Sequence, residues 1–234
     1  MISKRFFPQN HRTTVGAALA GLILAVALAI SGPRALAAGL SDQFEVIQTR
    51  RGHETYPLDV VKPEQWQQVM HAFERGLDAV IHTVGDFHHE PLESCEPDQW
   101  RAVMASNLDS AFYAYRFAHQ ALRRRRGRLI YFSLAGLTSH RAEPNLAVYA
   151  AAKSGLASLA ASIARIEAPH GVTCNVIAPG LLHDATVEEV ERYRVPKGRT
   201  ANEDELVATV AYLLDSSADQ VTGTTLALSG GWRL

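Results

Sequence analysis

Short apolar runs and helical repeats take turns along this chain, and that alternation restricts the fold more than any other feature. Residues 44–48, 79–82, 128–132, 172–177 and 224–228 read as strands, and Asp59-Val60-Val61 as the end of another. Between them, apolar residues recur at helical spacing over about 63–75, 97–122, 148–168 and 203–215. Unbroken apolar strands separated by helices imply an α/β fold, a doubly wound parallel sheet with helices on both faces. The composition suits one core in a single domain over 1–234, with 47% hydrophobic and 20% charged residues. A formal net charge of −1 offers no overall attraction for nucleic acid, and none is expected as a partner.

The first forty residues break the average. Residues 1–12 are polar and basic, 15–30 carry no charge, and Ala35-Leu36-Ala37 follows a Ser-Gly-Pro turn. That layout fits an export signal with a small-residue cleavage site, while the apolar run is short for a membrane span, which needs roughly 20 residues. It fits equally a buried parallel strand over 22–30.

Several features have plain structural readings. Pro63-Glu64-Gln65-Trp66 and Pro97-Asp98-Gln99-Trp100 are near-copies that open two helices, with proline at the first helical position. Trp66 and Trp100 are expected to be core anchors. Arg123 to Arg126, with Arg128 beyond a glycine, are read as solvated cations at a helix C-terminus rather than an anion site. Cys95 and Cys174 lack CxxC spacing, and the adjacent His88 and His89 form no helical ligand pair, so no disulfide scaffold and no metal is expected.

Chemistry concentrates in Tyr149-Ala150-Ala151-Ala152-Lys153, which puts a phenol and an ammonium on one helix face. A free tyrosine titrates near 10, and a neighbouring cation is expected to lower that value and make the phenol useful for proton transfer. Ser133 lies at the end of the strand 128–132, Asn107 on the long helix, and Asn175 to Gly180 at the end of the next strand. In a doubly wound sheet such strand ends converge where ligands bind.

With Asp59-Val60, Gly85, and the terminal Val221-Thr222-Gly223 and Gly230-Gly231-Trp232, this ordered set resembles the short-chain dehydrogenase/reductase family over residues 42–234, most of all its 3-oxoacyl-carrier-protein reductases. The resemblance implies a Rossmann-type sheet and a carbonyl reductase driven by a nicotinamide cofactor. Tyr149 would be the acid that protonates the carbonyl oxygen. Lys153 would hold the nicotinamide ribose and depress the Tyr149 pKa, Ser133 would bond the carbonyl, and Asn107 would hold a relay water. Ser31, Gly32, Thr49, Arg50, Arg51, Asp59, Val60, Gly85, Pro179, Gly180 and Leu182 join Tyr149 and Lys153 as expected cofactor contacts. Thr49-Arg50-Arg51, with no acid before Glu54, points to NADP(H) over NAD(H).

The chain departs from the family at several places. His82-Thr83-Val84-Gly85 stands where the family has Asn-Asn-Ala-Gly, and the threonine expected soon after Pro179-Gly180 is replaced near His183-Asp184, with Thr186 too late. Residues 181–199 look short for a substrate lid, and the glycine-rich first turn is not found. One alignment takes 22–30 as the first strand, Ser31-Gly32-Pro33 as the remnant turn and 34–40 as a truncated helix, with 1–21 an extension. Another uses Gly16 and Gly21 as the turn and 17–30 as the helix. A third reading keeps the signal or membrane anchor through residues 1–38. The expected substrate is a small or carrier-bound carbonyl compound, in a cytoplasmic homodimer or homotetramer packed through the two long helices. The alternatives are an exported or anchored protein, and a cofactor-poor relative acting as a binding or assembly module.

Overall fold

The computed structural model describes residues 22–26, 32–49, 51, 54–137, 142–180, 182 and 194–233. Ser31, Arg50, Gly16, Gly21, Thr186 and the His183-Asp184 pair lie outside the described residues.

Among the described residues, six parallel strands form one sheet: β1 Leu22–Val26, β2 Glu45–Thr49, β3 Ala79–His82, β4 Arg128–Phe132, β5 Thr173–Pro179 and β6 Thr225–Leu228. Their order is β2-β1-β3-β4-β5-β6, so β1 sits inside the sheet, hydrogen-bonded to β2 and β3. The chain leaves β1 toward one edge and resumes at β3 on the other side, which makes the ends of β1 and β3 the switch point of the sheet. The register aligns Val26 with Thr49 and His82, His82 with Tyr131, Phe132 with Ile177, and Pro179 with Leu228. The C-terminal ends therefore share one edge.

Side chains alternate between two cores, as the strand period of two requires. On one face Val80, Leu129, Tyr131, Cys174 and Val176 meet α2 Pro63–His71, α4 Ser110–Arg125 and α5 Ala147–Glu167. Alanines 111, 114, 118 and 121 are buried along α4, so this helix turns small side chains to the core. On the other face Ala79, Ile81, Ile130 and Ile177 meet α1 Gly32–Leu40 and α6 Glu203–Leu214. At Gly39 an added Cβ would stand 2.7 Å from Val207, so only glycine lets α1 approach α6 this closely.

Four expectations are corrected. Asp59-Val60-Val61 ends no strand: it is a turn, closed by Lys62 N–H on the Asp59 carbonyl at 2.9 Å, and β2 is the sheet edge. Val60 is apolar because it fills the core, where it is 1% exposed, and its carbonyl accepts the Trp66 indole at 2.9 Å. Trp100 is no core anchor. It is 43% exposed, whereas Trp66 is fully buried. The two helices begin alike, but α2 lays its tryptophan on the sheet while α3 Pro97–Met104 buries only Val103. The arginine run is not one solvated group. Arg123 pairs with the buried Glu167 at 2.8 Å, Arg124 reaches the Glu74 carbonyl at 2.7 Å, and Arg128 pairs with Asp219.

The expected long helix is divided. Between α3 and α4, residues Ala105–Asp109 form a π turn, and the extra residue in that turn redirects the side chains that follow.

His82 closes β3 between the rings of Trp66 and Tyr131, fully buried, with neither ring nitrogen hydrogen-bonded. Burial lowers its pKa from 6.5 to about 3, with the nearby Lys153 adding to the effect. The folded protein keeps His82 neutral where the unfolded chain binds a proton, so its contribution is present above pH 6.5 and is lost as pH falls toward 3. His82→Phe is expected to flatten the dependence of Tm on pH across that window, measured by thermal melts in matched buffers. An unchanged slope would mean other groups govern acid unfolding.

Candidate active site

Four segments reach the shared edge of the sheet. β4 ends at Phe132, and Ser133 continues it by donating its N–H to the Ile177 carbonyl at 2.8 Å. The Ser133 hydroxyl is buried and has no hydrogen-bond partner. A buried hydroxyl left unpaired is costly, which marks it as a donor waiting for a ligand oxygen.

The first two turns of α5 bury Tyr149 and Lys153 on the face toward the sheet. Lys153 Nζ donates to the Phe132 carbonyl at 2.9 Å and to the Val84 carbonyl at 3.4 Å, and stands 5.5 Å from the centre of the Tyr149 ring. Burial lowers the Lys153 pKa from 10.5 to about 7 and raises that of Tyr149 from 10.0 to about 12. The expected depression of Tyr149 by Lys153 is not found. The ammonium is itself desolvated and turned toward two carbonyls, so the loss of water around the phenol dominates. Tyr149 is thus held protonated at neutral pH, as a proton donor must be.

The π turn brings in Asn107. Its Nδ2 donates to the carbonyls of Val103 at 3.0 Å and Asp86 at 3.1 Å, while Oδ1 is buried without a partner. The neighbouring Ser106 hydroxyl accepts the Asp86 N–H at 3.2 Å. Ser106 and Asn107 therefore grip both polar groups of one peptide residue. Next to it, Gly85 adopts φ +150°, and a Cβ there would stand 1.9 Å from Asn107 Oδ1 and 3.0 Å from Lys153 Nζ. The loop passes between the amide and the ammonium only because residue 85 has no side chain.

Gly85, Ser133, Tyr149, Lys153, Pro179 and Leu182 line one cavity of about 70 Å³, together with Thr83, Val84, Phe132, Leu36 and Leu206. Gly180 N–H bonds the Leu228 carbonyl at 3.0 Å, and Leu182 bridges to Ala201. The other expected contacts sit elsewhere. Thr49, Arg51 and Asp59 gather at the end of β2, where Arg51 Nε is 3.2 Å from Asp59 Oδ1 and the Thr49 hydroxyl is committed to the Tyr56 carbonyl at 2.8 Å. Val60 presents its side chain to the core. Gly32 opens α1, the helix that follows β1. Asn175 ties β5 to the approach of β6 through the Val221 carbonyl and the Thr224 N–H, a structural role.

Sequence reasoning passes over Ser106, the apolar walls Leu36 and Leu206, and Phe87, whose ring meets Tyr149 edge to face at 5.3 Å. The position of Ser106 beside Asn107 was a usable signal. Nothing in the sequence marks the π turn that gives the pair its grip.

The residues present fit the nicotinamide end of a dinucleotide. The orphaned Ser133 hydroxyl, the Tyr149 phenol, the Lys153 ammonium and Thr83 offer polar groups in the lining of a mostly apolar cavity. A doubly wound sheet with a tyrosine, a lysine and a serine at its switch-point edge defines a class of nucleotide-dependent oxidoreductase. Residues 20–233 match the family model described as enoyl-(acyl carrier protein) reductase, and the chain belongs to the short-chain dehydrogenase/reductase family.

Similar proteins span several substrates. The 2-dehydro-3-deoxy-D-gluconate 5-dehydrogenase of Bacillus subtilis is 28% identical over 91% of this chain and 90% of its own. The 3-oxoacyl-[acyl-carrier-protein] reductase of Vibrio cholerae is 30% identical over 74% of this chain and 75% of its own. A crystal structure of a putative gluconate dehydrogenase from Agrobacterium tumefaciens shares the fold, with a TM-score of 0.81 at 24% identity, covering 91% of this chain and 95% of that one.

Gly85→Ala tests how tightly the loop is set. We expect kcat/KM to fall by about 10²-fold, since displacing Asn107 and Lys153 by an ångström misaligns the site. Steady-state rates beside a thermal melt check this; full activity would show that the close approach at Gly85 is dispensable.

Proposed function

We propose that this oxidoreductase is an NADPH-dependent reductase that converts a small or carrier-bound carbonyl compound, such as a 3-oxoacyl thioester, to its alcohol. The observation that carries the reading is Tyr149, held protonated by burial in one cavity with the unpartnered Ser133 hydroxyl and the Lys153 ammonium. The nicotinamide, when bound, supplies the hydride. Tyr149 gives its proton to the substrate oxygen as negative charge builds there, and Ser133 donates a hydrogen bond to that same oxygen. Lys153, anchored on Phe132 and Val84, holds positive charge beside the phenol and stabilises the phenolate left when the proton has been given up. Asn107 braces the loop of Gly85 and Asp86 that borders the proton path.

Support for NADPH comes from the end of β2, where the acidic Asp59 is paired with Arg51 and the Arg51 side chain remains 59% exposed. Support for a retained N-terminus comes from β1, whose loss would split the sheet between β2 and β3. A cytoplasmic site fits the two free thiols Cys95 and Cys174. A homodimer or homotetramer fits the outer faces of α4 and α5, where Phe112 on α4 and Ala151, Ser154, Ser158, Ala161 and Ile166 on α5 are exposed.

Two measurements test the reading. Tyr149→Phe should lower kcat by about 10²–10⁴-fold while the Kd for NADPH stays within twofold, as followed by nicotinamide absorbance and titration. Activity retained in that variant would remove Tyr149 as the donor, and an absence of NADPH binding in the wild type would favour the cofactor-poor module. Arg51→Ala should raise the KM for NADPH about tenfold and leave that for NADH unchanged, the loss of one charge-assisted contact. Equal effects on both cofactors would place the 2′-phosphate elsewhere.

A further inference from the structure

Phe87 is an exposed aromatic side chain on an unusually well-fixed stretch of chain. Its ring is 63% exposed, yet it meets Tyr149 at 5.3 Å and 70° and lies parallel to the His89 ring at 6.5 Å. A single exposed apolar side chain on a protein surface is ordinary and needs no account. This one differs because its position is enforced from behind. Asp86, its neighbour, is gripped at both N–H and carbonyl by Ser106 and Asn107, and Gly85 before it lies in the wall of the active cavity. The chain therefore holds Phe87 in contact with the ring of the proton donor and beside the cavity wall at Gly85, with most of its own ring open to water.

The chemistry around it favours one kind of substrate. Among the described residues, the cavity is walled by Leu36, Val84, Phe132, Leu182 and Leu206, and its single cation, Lys153, is already directed at two main-chain carbonyls. The polar side chains in that described lining, Thr83, Ser133, Tyr149 and Lys153, are outnumbered by apolar ones, and the last three are the groups that serve the reacting oxygen. An apolar substituent beside the reacting carbon would cover the open ring face and release ordered water from it.

We propose that Phe87 is a specificity-determining residue that selects carbonyl compounds bearing an aryl or alkyl group next to the reacting carbon, over polyhydroxylated keto acids. The inference rests on the carbonyl-reductase reading above. It separates this chain from what the name of its gluconate-type relative says of that protein.

The experiment compares kcat/KM for an aryl methyl ketone and for a polyhydroxylated keto acid, using NADPH and NADH, in the wild type, Phe87→Ala and Phe87→Leu. Since the ring is mostly exposed, both variants are expected to fold, with melts as the check. The wild type should prefer the aryl ketone. Phe87→Ala should lower its kcat/KM about tenfold, equivalent to ~1.4 kcal/mol, through KM, with kcat for the hydroxylated acid unchanged. Phe87→Leu, apolar but not aromatic, should restore more than half of the loss. A wild type that prefers the hydroxylated acid overturns the proposal, as does a Phe87→Ala variant that slows both substrates equally. If neither ketone is reduced, it is the reductase reading that fails. Ligand-observed NMR of the aryl ketone then decides the inference by itself: binding weakened in Phe87→Ala supports it, and binding equal to wild type overturns it.

Discussion

Lys153 brings an ammonium group to a place where water cannot reach it, and the active edge of the sheet is organised around the cost of doing so. Desolvation penalises the charged form, and the two carbonyls that receive its protons are those of Phe132, at the end of β4, and Val84, two residues past β3. One side chain thereby ties α5 to two neighbouring strands at their C-terminal ends. The consequence is positional: Tyr149, one turn earlier on α5, and Ser133, next after Phe132, are fixed relative to each other by the same anchor. A side chain of that length without the charge would lose the tether, and one with the charge but without burial would leave the phenol hydrated.

The second constraint acts from the opposite side. The π turn at Ala105–Asp109 adds a residue to what would otherwise be one helix, and so rotates Ser106 and Asn107 into the loop after β3. Gly85 is then caught between Asn107 and Lys153 with no room for a side chain. Helix irregularity, loop conformation and buried charge are three descriptions of one junction. It also explains how the loop can lose Asn-Asn-Ala ahead of the glycine and still hold its path, because the grip comes from the helix and is applied to the backbone.

Much of the fold was legible in the sequence because its signals are local. The runs 79–82 and 128–132 are buried on both faces of the sheet, so they read as continuous apolar strands, and the helix starting at Glu203 follows a capping asparagine, Asn202, paired with Glu205. The site was legible as well, since a tyrosine and a lysine four apart share a helix face whatever the tertiary context. What was not legible depends on neighbours distant in sequence. Trp66 and Trp100 head nearly identical peptides, yet only the former has a sheet beneath it. Val60 and Val61 are β-branched and look like strand, but a turn brings Val60 into the core and leaves β2 at the edge. The direction of the Tyr149 shift followed from burial, which no pattern of residue types reports.

His82 shows the same dependence from a third direction. A histidine in place of an amide at the end of β3 loses every hydrogen bond its ring could make, and what it gains is contact with the Trp66 and Tyr131 rings on one core face. The exchange is tolerable only while the ring is neutral, and the proximity of Lys153 helps keep it so. Burial does most to keep that core residue neutral, and the anchor that orders the catalytic edge adds to the effect. Charge on Lys153 and charge on His82 disfavour each other, so any ligand that stabilises the ammonium must hold the imidazole more firmly in its neutral form.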